Sequence, residues 1–162
     1  MRIVFLCTSS LDYPSPRGRW LPLARYLARA GHEPHMLMLH PTFDRLRRRR
    51  FVIEGVHCAH VGQMHVYGLP GERRHFSASE LAAVSLRGAL ALALATVRLR
   101  PDVIHVAKPQ PINGLAGVLA ARSGGALLIA MTTKPGRIIS AAHGSNEWWR
   151  GGKISCRAWR AG

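Results

Sequence analysis

Short apolar runs alternate with helically spaced segments along this chain, and the alternation sets the fold class. Arg2–Cys7 is an apolar run of strand length, of the kind buried on both faces of a parallel sheet. Residues 8–18 are rich in turn formers. They make a long strand-to-helix connection, and long connections in compact domains are often functional. From about Arg19 the spacing turns helical, predicting Trp20, Leu23, Leu27 and Ala30 on the core face. Pro22 pins the start of that helix and Gly31 its end. Residues 32–40 predict a second strand, so strand, helix, Gly-His and strand form the short return of a βαβ unit. A strand-like piece at 51–63 leads to the sheet edge, and Pro70-Gly71 marks a turn in a polar loop. Ser77 or Ser79 caps a long helix, Ser77 with Glu80 as a capping box. That helix runs through Leu81, Val84, Leu86, Leu90, Leu94 and Val97 to about Leu99. It is apolar nearly all round in its second half, which predicts burial.

The organising stretch is 101–122. Val103, Ile104 and Val106 form a short β-branched run between Pro101 and Pro109. Lys108-Pro-Gln-Pro111 forces an extended crossing, since proline disfavours helix in the residue before it. Ile112, Leu115, Ala116 and Leu119 then fall on one helical face, and residues 126–130 predict a last strand. Strands alternating with helices indicate an α/β fold with an open, mostly parallel sheet. Ligands of such sheets bind outside the carboxyl ends of the strands. His105, Lys108, Gln110 and Asn113 are therefore candidate site residues, with Asn113 equally suited to helix capping. Gln63 and His65 are candidates for lining the same cleft.

The 162 residues suffice for one core, and 48% hydrophobic content fits a globular protein. No run of about 18 uncharged apolar residues is present, so no span is expected. The basic-then-apolar start reads as a first strand rather than a leader, because Asp12 and two prolines follow it. Cys7, Cys58 and Cys156 are far apart and show no metal or disulfide framework, so a reducing cytoplasm is expected. His57 and His60 point to opposite faces of a strand, and no metal set is assigned. Asp12, Asp44 and Asp102 form no recognisable catalytic pair. A net charge of +15 attracts phosphate-rich partners, and Arg45 with the run 47–50 concentrates it. The arginines are not interleaved with aromatics, which disfavours single-strand recognition, so no specific nucleic acid is expected.

Residues 1 to about 130 resemble the amino-terminal half of a retaining, GT-B-type glycosyltransferase of family 4. The carriers are Met1-Arg-Ile-Val-Phe-Leu, the 14–18 loop before a helix ending Leu-Ala-Arg-Ala-Gly-His-Glu33, and Pro101-Asp-Val-Ile-His-Val. Lys108-Pro-Gln-Pro-Ile-Asn-Gly114 and Val61-Gly-Gln-Met-His-Val66 look typical of one bacterial branch. The resemblance implies a Rossmann-like sheet with helices on both faces, forming the acceptor side of a cleft. The sugar-nucleotide donor would bind a carboxy-terminal half, with no other cofactor. Where the family often has a Gly-Gly pair, this chain reads Arg17-Gly18, so phosphate contact falls to the Arg17 side chain. His105 and Lys108 would face acceptor or phosphate oxygens.

Residues 131–162 lack a clear period, are rich in Gly, Arg and Trp, and read as a poorly ordered tail outside the 1–130 domain. In the frame starting at the third base of the Ala130 codon, allowed third bases give Asp-Asp-Tyr-Glu-Ala-Gly-Ser-Asn, which resembles the family's continuation. A frameshifted or truncated gene is the expectation. The chain by itself is then expected to be inactive, cytoplasmic, and at most peripheral at the inner face of an anionic membrane. The competing expectation is a small basic module binding nucleic acid or anionic membrane, and a third is a remnant without function.

Overall fold

The structure, a computed structural model, describes residues 1–68, 74–124, 126–131 and 138–141. β1 (Arg2–Cys7) leads through a π-helical turn at Pro16–Trp20 into α1 (Leu21–Arg29) and back to β2 (Glu33–His40), parallel to β1. β3 (Arg50–Ile53) and β4 (Val56–Gln63) form a hairpin. Its two-residue turn, Glu54-Gly55, has φ of 47° and 81°, the left-handed pair that matches strand twist. β5 (Val66–Tyr67) and β6 (Arg74–His75) make a separate small ribbon. α2 (Ala78–Leu99), β7 (Val103–Ala107), α3 (Pro111–Gly124), β8 (Leu127–Met131) and β9 (Ile138–Ala141) follow.

The large sheet has the order β3-β4-β2-β1-β7-β8-β9. Strands β4 to β8 of that order are parallel, and β3 and β9 pair antiparallel at the two edges. This is the α/β, Rossmann-like open sheet that the sequence led us to expect. β9 lies inside the stretch read as an atypical tail; residues 142–162 and the Pro70-Gly71 turn lie outside the described residues.

Helices cover both faces because strand side chains alternate. Val4, Leu6, Leu39, Ile104 and Val106 meet α2 and α3, whereas Phe5, Cys7, Met36, Met38 and Cys58 meet Trp20, Leu21 and Ala24. The helical faces match expectation only in part. Trp20 is buried and Leu27 packs against the core as expected, but in α1 Leu21 and Ala24 are buried while Leu23 and the following Ala30 are exposed. In α2 the buried positions are Gly88, Ala89, Leu92, Ala93 and Thr96, while Leu86, Leu90 and Leu94 face outward. In α3, Asn113, Ala116, Gly117 and Ala120 are buried, with Leu115 and Leu119 exposed. Small side chains face the sheet because the helices approach closely: a Cβ on Gly117 would lie 2.7 Å from Val106 Cγ2. The Ser77–Glu80 capping box forms as expected, with Ser77 N–H donating to Glu80 Oε2 at 2.9 Å.

Candidate functional site at the carboxyl edge of the sheet

The parallel strands run outward in both directions from the β1–β7 pair, so chain order reverses there. In such sheets ligands bind outside the carboxyl ends of the strands at that reversal. Thr8, just past β1, donates its hydroxyl to Gln110 Oε1 beyond β7, linking the two strand ends. Asn113 is fully buried and stitches the same two ends. Its Nδ2 donates to the carbonyls of Leu6 at 3.1 Å and Ala107 at 2.9 Å, and its Oδ1 accepts from the Gln110 N–H at 2.8 Å. These bonds consume the side chain, so Asn113 holds the scaffold rather than presenting a free amide. Lys108 is exposed at this crossing with φ of 54°, in the left-handed region, immediately before Pro109. Backbone strain of this kind persists where surrounding structure over-determines it, and it clusters at ligand sites.

A second polar group sits one strand over. The loop after β1 brings Asp12 to His40, the last residue of β2, with His40 Nε2 3.3 Å from Asp12 Oδ2. His40 Nδ1 accepts the Thr42 N–H at 3.1 Å, which fixes the ring beside the loop. Buried Ser10 donates to the same Oδ2 at 2.8 Å. Asp12 is 62% exposed, and its Oδ1 has no partner among the described residues. The result is a carboxylate held by the Ser10 hydroxyl beside the His40 ring, with one oxygen free to accept from a ligand hydroxyl. His60 backs His40 edge-on, ring centroids 4.9 Å apart. Neither His60 ring nitrogen has a partner, and burial pushes its pKa down to about 4. It is a neutral, packed ring.

The other expected site residues divide between edge and interior. Arg17 and Gly18 are exposed on the π turn, and a Cβ on Gly18 would meet nothing within 4 Å. Gln63 is committed to the scaffold: Nε2 donates to Pro41 O at 2.8 Å and Val66 O at 3.0 Å, and Oε1 accepts from Phe43 N–H. His65 is half-buried, and burial lowers its pKa. His105 departs most from expectation. It lies inside β7 against Trp20 and Phe5, ring centroids 4.8 and 5.0 Å away, with 6% exposure. Both its nitrogens lack partners and burial pushes its pKa down to about 4, so it faces the α1 layer rather than a ligand.

His57 and His60 do lie on opposite faces, His57 exposed and stacked on His35. Among the described residues, no group of three or more His, Cys, Asp or Glu is placed to hold a metal. Burial pushes the Cys7 and Cys58 thiols up to about 12 and about 11, which leaves them without nucleophilic character. In the basic run, Arg49 lies over the Phe43 ring at 4.2 Å and Arg45 over Tyr67 at 5.6 Å. Sequence reasoning missed Asp12, Ser10 and His40 as a unit. The available signal was register: Cys7 pairs with Met38, which places the last residue of β2 beside the loop after β1. No protein-family model and no curated protein matches this chain.

Proposed function

We propose that the chain is the acceptor-side domain of a retaining glycosyltransferase that moves a sugar from a nucleotide-sugar donor to an acceptor hydroxyl. The observation that carries this reading is the exposed Asp12 carboxylate, held by Ser10 beside His40 at the carboxyl edge of a doubly wound sheet. The resemblance of residues 1 to about 130 supplies the reaction class. Asp12 Oδ1 would accept a hydrogen bond from the acceptor hydroxyl and orient its oxygen. Lys108 and Arg17, both exposed at this edge, would attract phosphate or acceptor oxygens. The donor diphosphate would be stabilised by basic groups of a second half-domain, an electrostatic role. The described residues by themselves are then a binding surface and not a complete catalyst. Purified 162-residue chain should bind a hydroxyl-rich acceptor without turning over nucleotide sugar. Turnover by this chain in a coupled assay of nucleotide release would overturn that division of labour.

A further inference from the structure

α2 is long and apolar enough, by length and composition, to cross a membrane, with mean hydropathy 1.6 over its best window. Only 28% of that window is buried. Ala89, Leu92 and Ala93 hold α2 to the sheet, so crossing a bilayer would strip the core of its cover. The outward face carries Leu86, Leu90 and Leu94 at 56%, 45% and 57% exposure. Their spacing of four residues forms one stripe. α3 packs beside α2 in the same layer and adds Leu115 and Leu119, 46% and 38% exposed. Arg87 and Arg98 flank the stripe and Arg122 lies on the exposed face of α3; none is ion-paired among the described residues. The single acid of these two helices, Glu80, is held by Arg74 and Ser77.

We propose that the α2–α3 face seats on an anionic lipid bilayer, lying in the interface with leucines at the acyl boundary and arginines among headgroups. Charge selects this occupant. A second copy would set Arg87, Arg98 and Arg122 against one another on a chain of net charge +15, whereas anionic headgroups neutralise them. Because Ala89, Leu92 and Ala93 are tied into the core under α2, the helix lies on the membrane rather than through it. This inference stands independently of the glycosyltransferase reading.

The test is co-sedimentation of the full chain with sucrose-loaded vesicles of phosphatidylcholine, with and without phosphatidylglycerol. Binding should require phosphatidylglycerol. The double substitution Leu90→Gln and Leu94→Gln should weaken it about tenfold or more while leaving the circular-dichroism spectrum unchanged. Arg87→Gln, an independent change at an exposed position, should weaken it by a smaller factor that vanishes in high salt. Three results would overturn the proposal. They are no binding to phosphatidylglycerol vesicles, binding indifferent to the leucines but lost when the arginines at 47–50 are replaced, and a light-scattering dimer that the leucine changes convert to monomer.

Discussion

His105 shows at the residue scale how a site reading from sequence can miss by half a turn of strand. Its place near the end of an apolar run suggested a cleft, but β7 continues two residues further, to Ala107. Alternation then turns His105 into the layer shared by Trp20 and Phe5. The consequence is a pH dependence with a fixed sign. The folded pKa of about 4 lies below the ordinary 6.5, so the unfolded chain takes up the proton first as pH falls. Stability is complete above about pH 6.5 and is lost progressively down to about pH 4, by a total on the order of 3 kcal/mol from His105. His60 acts in the same direction from a less buried position. Glu33, held down to about 2 by hydrogen bonds from Arg2 and His35, extends the loss at still lower pH. Urea midpoints at pH 7 and pH 5 should therefore differ for the parent chain. His105→Leu should narrow that gap and keep neutral-pH stability, since an apolar side chain of similar size suits the site. An unchanged gap would show that His105 is not buried and neutral.

Among the elements, the parallel strands β1, β2, β7 and β8 were readable from local apolar runs, whereas 51–63, read as one strand-like piece, is the β3–β4 hairpin, and β5, β6 and β9 were not foreseen. β1 ends where its composition changes, and the capping box places the start of α2. Helix orientation was only partly readable: Trp20 and Ala116 are buried as expected, but several leucines assigned to the core face outward. The sheet instead selected glycine and alanine, which admit close approach, and pushed leucines outward. Gly117→Ala tests that account: the added methyl would meet Val106 Cγ2 at 2.7 Å and Leu128 Cδ1 at 3.1 Å. Thermal unfolding should show a loss of about 1–3 kcal/mol, the usual cost of overpacking, and no loss would mean that α3 sits farther from the sheet. Asn113→Ala should cost more, about 3 kcal/mol, because the buried carbonyls of Leu6 and Ala107 lose their donor. Ser77→Ala should cost about 1 kcal/mol through the lost cap.

The whole molecule brings together what the chain kept apart. Residues 12 and 40 meet because the βαβ unit returns β2 parallel beside β1, a topological fact that neither local stretch encodes. The same topology sets Lys108 at the carboxyl end of β7, next to the first loop that Thr8 ties to Gln110. Net charge acts at this scale too. Association with nucleic acid through the basic run should be non-specific, fall steeply with salt, and survive Lys108→Ala.

The most direct test of an acceptor site built on Asp12 is ligand-observed NMR of the full chain against a panel of sugars and polyols. Asp12→Asn, Lys108→Ala and an Arg47→Ala control would be measured beside it. Asp12→Asn keeps the shape of the side chain but removes the charge of the acceptor oxygen, so saturation transfer should be lost there, fall in Lys108→Ala, and persist in the control. Equal transfer to the parent chain and to Asp12→Asn would contradict the account.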